Sequence, residues 1–274
     1  MESVEQRRFD RRAFIMGAAA AATGVAVVGT PLAFAAEGDP VPIPPVGQWP
    51  YVALNADQIG AAAWAPPGCS GCGGKSAGAI IDGLKVAVGW PWTTLPLNIG
   101  SYGNGGGPYG ATCGGLTGPF FVMNLVGAAG AIGQQFYKWY CGFAFPSTEW
   151  DANSTFKNTV RTVSKSPLCH ESRTIWENAF LRQWNRVAPY DTSRCQKLPC
   201  DTTKQAVRML NDWRSSILPP AWAADADYAT CYSCHSTLFN DKKVGASYPS
   251  GKENCRNCHD VAPAHPKGRW GQRG

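Results

Sequence analysis

Two short stretches, CYSCH at residues 231–235 and CRNCH at 255–259, each set two cysteines at the C-x-x-C spacing and follow them at once with a histidine. The four cysteines alone would suit a zinc site, in which two turns present paired thiolates to one tetrahedral ion. The histidines favour different chemistry, because C-x-x-C-H is the attachment pattern of a c-type haem. Both thiols form thioether bonds to the porphyrin, and the next residue is aimed at the iron as its proximal ligand. The chain has only four histidines, and two of them stand directly behind C-x-x-C pairs. The pattern therefore reads as two covalent haem c groups, with Cys231, Cys234, Cys255 and Cys258 as thioether residues and His235 and His259 on the irons.

The two remaining histidines, His170 and His265, match the number needed to give each iron a second axial ligand. Methionine is the other common choice, but Met123 falls in an apolar run and Met209 in an amphipathic one, which makes both core residues. His265 lies in HDVAPAHPKG, a short segment with two prolines. Rounding the porphyrin edge from His259 is awkward for such a segment, so His265 suits the other haem or one in a second subunit. His170 follows Cys169 at the mouth of an expected helix, where its plain alternative is a cap or surface residue. Two bis-histidine irons leave no open coordination position, and the protein then carries electrons; a missing distal ligand would open an iron to a small substrate.

Seven cysteines are left over: Cys69, Cys72, Cys113, Cys141, Cys169, Cys195 and Cys200. In an oxidising compartment they could form disulfides, with one unpaired; the rival is an iron–sulfur or other metal site using three or four of them. Cys69 and Cys72 form a C-x-x-C pair ahead of a helix, an arrangement that can bite a metal, form a redox disulfide or lower a thiol pKa. Cys113 follows a glycine-rich loop that could bring it close. That loop, GNGGGPYG, contains no G-x-x-x-x-G-K-[ST] and no strand leading into a dinucleotide fingerprint, which argues against nucleotide binding.

These residues need a frame to hold them. Residues 1–35 read as a twin-arginine export signal: Arg11 and Arg12 precede a modestly apolar run that ends in the A-x-A site Ala33-Phe34-Ala35. Export to the periplasm agrees with covalent haem attachment, and a route used by folded proteins hints that something is loaded first. Residues 36–63, rich in proline, form an extended arm suited to wrapping a neighbour. Residues 64–218 form a helical cysteine-rich body, with helices expected near 76–88, 119–140, 151–164, 171–186 and 201–215. Glu171 and Asp201 open the last two, near the positive end of each dipole. Residues 219–274 are the haem-wrapping tail. No long alternating pattern marks a strand, so the fold class is mostly α with long loops. The formal charge of +6 falls to +5 without the leader's four arginines and three acids. Four haem propionates would bring it near neutral, which gives no sign of a nucleic-acid partner. Beyond the leader no segment has the length of a membrane span.

GCSGCGGKSAGAIIDGL, YGNGGGPYGATCGGLTG, LCHESRTIW and RCQKLPCDTTKQAVRMLN, with the two C-terminal C-x-x-C-H motifs and the twin-arginine leader, resemble split-Soret cytochrome c. The similarity spans residues 64 to about 260, and its body is similar to the broader group named for its C-GC, C and C cysteine pattern. The resemblance implies a mostly helical homodimer with two covalent haems per subunit, gathered at one end and ligated by histidines partly across the dimer. It implies His170 as an axial ligand, and it makes an iron–sulfur cluster plausible in the cysteine-rich body, with Cys69, Cys72, Cys113, Cys169 and Cys195 as candidates for cluster or disulfide.

The sequence thus reads as an exported dihaem electron carrier with redox-protein donor and acceptor and no catalytic residues assigned. Low potentials follow from bis-histidine ligation. The rival readings are a haem-fed reductase or thiol-redox enzyme acting on a sulfur or nitrogen oxyanion, and a zinc-stapled binding module.

Overall fold

The computed structural model describes residues 42–221, apart from 108, 155–156, 158–159 and 188–192, together with 223, 226 and 229. The export signal and both C-x-x-C-H motifs, with Cys231, Cys234, His235, Cys255, Cys258 and His259, lie outside the described residues, as does His265.

The described chain is mostly helical: α1 (Ala56–Ala62), α2 (Gly71–Ala87), α3 (Gly114–Val126), α4 (Ala129–Gly142), α5 (Cys169–Trp184) and α6 (Ser193–Arg214). Two strands of two residues, β1 (Ala144–Phe145) and β2 (Thr162–Val163), pair antiparallel, with Ala144 opposite Val163. Short 3₁₀ turns cover Trp92–Thr94, Leu97–Gly103 and Asp151–Asn153.

α2 is the central helix. Ser76, Ala77, Ala79, Ile80, Ile81 and Leu84 are all buried, so it has almost no solvent face. It packs against α3, α6 and the 3₁₀ stretch Leu97–Gly103. The main core joins Ile80, Ile81 and Leu84 to Leu116, Val122 and Met123 of α3, Ile132 and Phe136 of α4, and Leu198, Val207 and Leu210 of α6. Each such side chain contributes about 1.5–3 kcal/mol by leaving water. Met123 and Met209 are both buried in this cluster, as core residues should be.

Several expected elements change. The run 119–140 is two helices: Gly127 ends α3 with φ 85°, a left-handed conformation that glycine adopts without steric penalty. Of the run 151–164, where a helix is expected, the described residues form a 3₁₀ turn at Asp151–Asn153 and the strand β2, where Thr162 and Val163 have the branched side chains that favour a strand. The last helix begins at Ser193 rather than 201 and runs through Pro199. Asp201 is therefore inside α6, and its carboxylate binds a loop: it accepts from Ser147 N at 2.9 Å, Ser147 Oγ at 2.5 Å and Trp150 Nε1 at 2.8 Å.

From Pro44 the proline-rich arm belongs to the same compact unit as the helices. Gly47 N and Trp49 N both donate to Leu125 O, Trp92 Nε1 donates to Pro50 O at 2.8 Å, and Trp49 and Tyr51 are buried. The arm thus packs on its own body, and its end, at Ala56, is helical. There Asn55 caps α1 by accepting from Asp57 N and Gln58 N.

Candidate functional site: a four-thiol centre beside an oriented histidine

Four of the five cysteines proposed for a metal or disulfide share one neighbourhood, and each sits at the start of a helix. Cys72 is in the first turn of α2, Cys113 is the N-cap of α3, Cys169 opens α5 and Cys195 is in the first turn of α6. All four lie within electrostatic reach of Cys72 or are themselves Cys72. Exposure is graded across the site: Cys113 is buried, Cys72 and Cys169 are half-buried, and Cys195 is exposed, so the centre opens to the surface on the α6 side.

A short backbone ladder aligns two of these thiols with the histidine. Cys113 N donates to Pro167 O at 2.9 Å, Cys169 N to Ala111 O at 2.6 Å and His170 N to Gly110 O at 3.0 Å. The segment 110–113 thereby runs antiparallel to 167–170, with Thr112 bridging Leu168. Gly110 has φ +78°, a conformation that favours glycine, and a Cβ there would lie in tight contact, 3.1 Å, with His170 Cβ. The glycine-rich loop, which carries no nucleotide-binding pattern, lays backbone against Cys169 and His170. On the far side, Asn104 ties the same loop to α2: its Oδ1 accepts from Gly73 N at 2.8 Å, in the first turn of that helix.

The thiols differ in acidity. Cys113 is lowered to about 6, chiefly by the hydrogen bond that Cys72 donates to it, with help from Arg194 and Tyr140 against the cost of burial. Cys72 is raised well above the usual thiol range because it is that donor, and because it is buried. Cys169 is pushed up to about 11, first by burial and then by the negative charge of Cys113.

Arg194, beside Cys195, shares these surroundings and was not singled out from the sequence. It is buried, donates from Nη2 to Ser172 Oγ, and places Nη1 3.9 Å from Cys195 Sγ. Tyr140 and Ser172 share a hydroxyl contact of 3.3 Å next to it. An arginine adjoining a cysteine was the available signal, but the late helix start expected at 201 left both in a loop.

Cys69 is not in the centre. It precedes the N-cap Ser70, its charged neighbours are Asp82 and Lys85, and its Sγ occupies the space a Cβ on Gly78 would need. The C-x-x-C pair is therefore split between two surroundings. Cys141 lies on α4, while Cys200 is buried with Ala63, Ala79 and Trp150.

His170 is exposed, and its Nδ1 lies 2.8 Å from Gly110 O. A carbonyl oxygen only accepts, so Nδ1 carries the proton and neutral His170 has a lone pair on Nε2. This backbone anchor is the usual companion of a metal-ligating imidazole, since it fixes both tautomer and ring plane.

Fold and site together define a mostly α-helical body with a thiol centre built on four helix starts and a ligand-ready histidine at its edge. No protein-family model matches the chain, and no curated protein is similar to it by sequence. Among solved structures it is similar to the split-Soret cytochrome c of Desulfovibrio desulfuricans, a protein described for a novel iron centre. The TM-score is 0.66 and the identity 21%, over 79% of this chain and 92% of that one. The chain thus has the fold of split-Soret cytochrome c, as its motifs suggested.

Proposed function

We propose that the protein is an exported dihaem c-type cytochrome that transfers electrons in the periplasm as a homodimer, through bis-histidine haems and an iron–sulfur centre. The observation that carries this reading is the coincidence of two C-x-x-C-H motifs with a split-Soret cytochrome fold. In it Cys231, Cys234, Cys255 and Cys258 hold the porphyrins, His235 and His259 are proximal ligands, and His170 and His265 are distal. The anchored Nδ1 of His170 supports its part.

Cys72, Cys113, Cys169 and Cys195 would hold the iron–sulfur centre, which would supply a one-electron relay. Among the described residues, no group of three or more His, Cys, Asp or Glu side chains is close enough to hold a metal ion; the cluster reading rests on the shared surroundings of the four thiols. Among the described residues no helix is long and apolar enough to cross a membrane.

The visible spectrum of the reduced protein, with and without carbon monoxide, tests the reading. A c-type spectrum with two haems per chain that the gas leaves unchanged is expected; a colourless protein, or a Soret band shifted by the gas, contradicts it. One observation favours the thiol-redox alternative: Cys113, lowered to about 6, accepts a hydrogen bond from Cys72, as a nucleophilic thiolate does from its resolving partner. Turnover of a sulfur or nitrogen oxyanion, abolished in Cys113→Ser, would establish that activity.

A further inference from the structure

Arg194 is a charge without a conventional partner. It is 3% exposed, no carboxylate among the described residues pairs with it, and its buried Nε–H has no acceptor there. The groups that stabilise its charge are Tyr140, Cys195 and Cys113, a phenol and two thiols. Arginine does not deprotonate in proteins, and a buried ion without an opposite charge is strongly unfavourable. The positive ends of four helices meet at the same place. With no carboxylate among the described residues paired with Arg194 and its buried Nε–H unused, the surroundings are suited to a guest of net negative charge.

We propose that Arg194 is the built-in counter-charge of the sulfur centre and holds its reduction potential up. The inference rests on the iron–sulfur reading of the site. Ferric irons and sulfides bound by four thiolates carry net negative charge, and one-electron reduction adds one more unit. A fixed cation beside Cys195 favours that added charge, and the unused Nε–H can donate to a sulfur of the centre. The step is reduction of the centre by one electron from a reduced haem, with no bond made or broken.

The test uses the full-length haem-loaded protein as wild type, Arg194→Lys and Arg194→Met. Non-haem iron and sulfide are assayed, and the centre is titrated redox-potentiometrically by electron paramagnetic resonance, with the haems of the same sample as internal reference. The expected result is a shift to more negative potential in Arg194→Met, clearly larger than any shift of the haems, and a smaller shift in Arg194→Lys. An unmoved potential in Arg194→Met, with the centre present, overturns the role of Arg194 and leaves the site reading intact. Loss of the centre in Arg194→Met but not in Arg194→Lys supports the charge role. Equal loss in both, at unchanged haem content and circular dichroism, assigns Arg194 to packing and overturns it. Wild-type protein without non-haem iron and sulfide overturns the site reading and this inference together.

Discussion

The approach of α3 to α2 sets where Cys72 and Cys113 meet, and it can be tested with one methyl group. A Cβ on Gly118 of α3 would lie 2.5 Å from Gly73 O and 3.1 Å from Ala77 N, both backbone atoms of α2 that have no rotamer to turn away. Overpacking of this kind costs about 1–3 kcal/mol, with backbone neighbours at the upper end. Replacing glycine by alanine within a helix returns roughly 1 kcal/mol. Gly118→Ala should therefore lose about 1–2 kcal/mol net. Gly130 near the start of α4 is the matched control, because nothing lies within 4 Å of its added Cβ. Gly130→Ala should gain roughly 0.5–1 kcal/mol from reduced unfolded-chain entropy alone. Urea unfolding followed by circular dichroism reads both: with a slope of about 2–3 kcal/mol/M, the Gly118→Ala midpoint falls by roughly 0.5 M while that of Gly130→Ala rises. If Gly118→Ala unfolds at the wild-type midpoint, or Gly130→Ala loses as much, the helices are not in backbone contact and the argument fails.

Cys113→Ser should remove most non-haem iron and leave haem content unchanged, whereas Cys69→Ser, outside the centre, should leave both unchanged; metal and pyridine-haemochrome assays separate the two. His170→Ala should open one iron, so that carbon monoxide shifts the Soret band of the reduced variant but not of the wild type. Cys200 is pushed up to about 12 by burial and the nearby Asp201 carboxylate, so its thiol should resist alkylation at pH 8 until the protein unfolds. Because its folded pKa lies above the ordinary thiol value of 9, its contribution to stability is complete below pH 9 and is lost as pH rises towards 12. The thermal midpoint of Cys200→Ala should accordingly fall less steeply over that range than that of the wild type.

What was legible in the sequence was local. Periodic apolar spacing located α2 and α5 to within a few residues, because a buried face at 3.6-residue spacing is a property of the segment itself. The break at Gly127 and the early start of α6 were not legible, since a glycine can sit inside a helix and Pro199 reads as a terminator until tertiary contacts hold it. The choice among the cysteines was less legible still. Cys69 and Cys72 look like a pair by spacing, yet the N-cap at Ser70 turns one into the helix start and leaves the other outside. Cys113 and Cys169 are far apart in sequence and meet only through the ladder between 110–113 and 167–170, which no local pattern announces.

On the iron–sulfur reading proposed above, a centre whose four sulfurs come from the starts of four different helices would also be a cross-link. Once filled, it ties α2, α3, α5 and α6 together at one end and closes the long loops between them, so its binding free energy becomes folding free energy. Emptying it would not loosen the body evenly. α2 and α3 keep their shared core, whereas α5, with its own small cluster of Val160, Trp176 and Phe180, loses a tether to the rest. Oxidative damage to the iron would therefore register first as mobility of the helix that carries His170, so the state of one redox centre would govern how firmly a ligand of another is held.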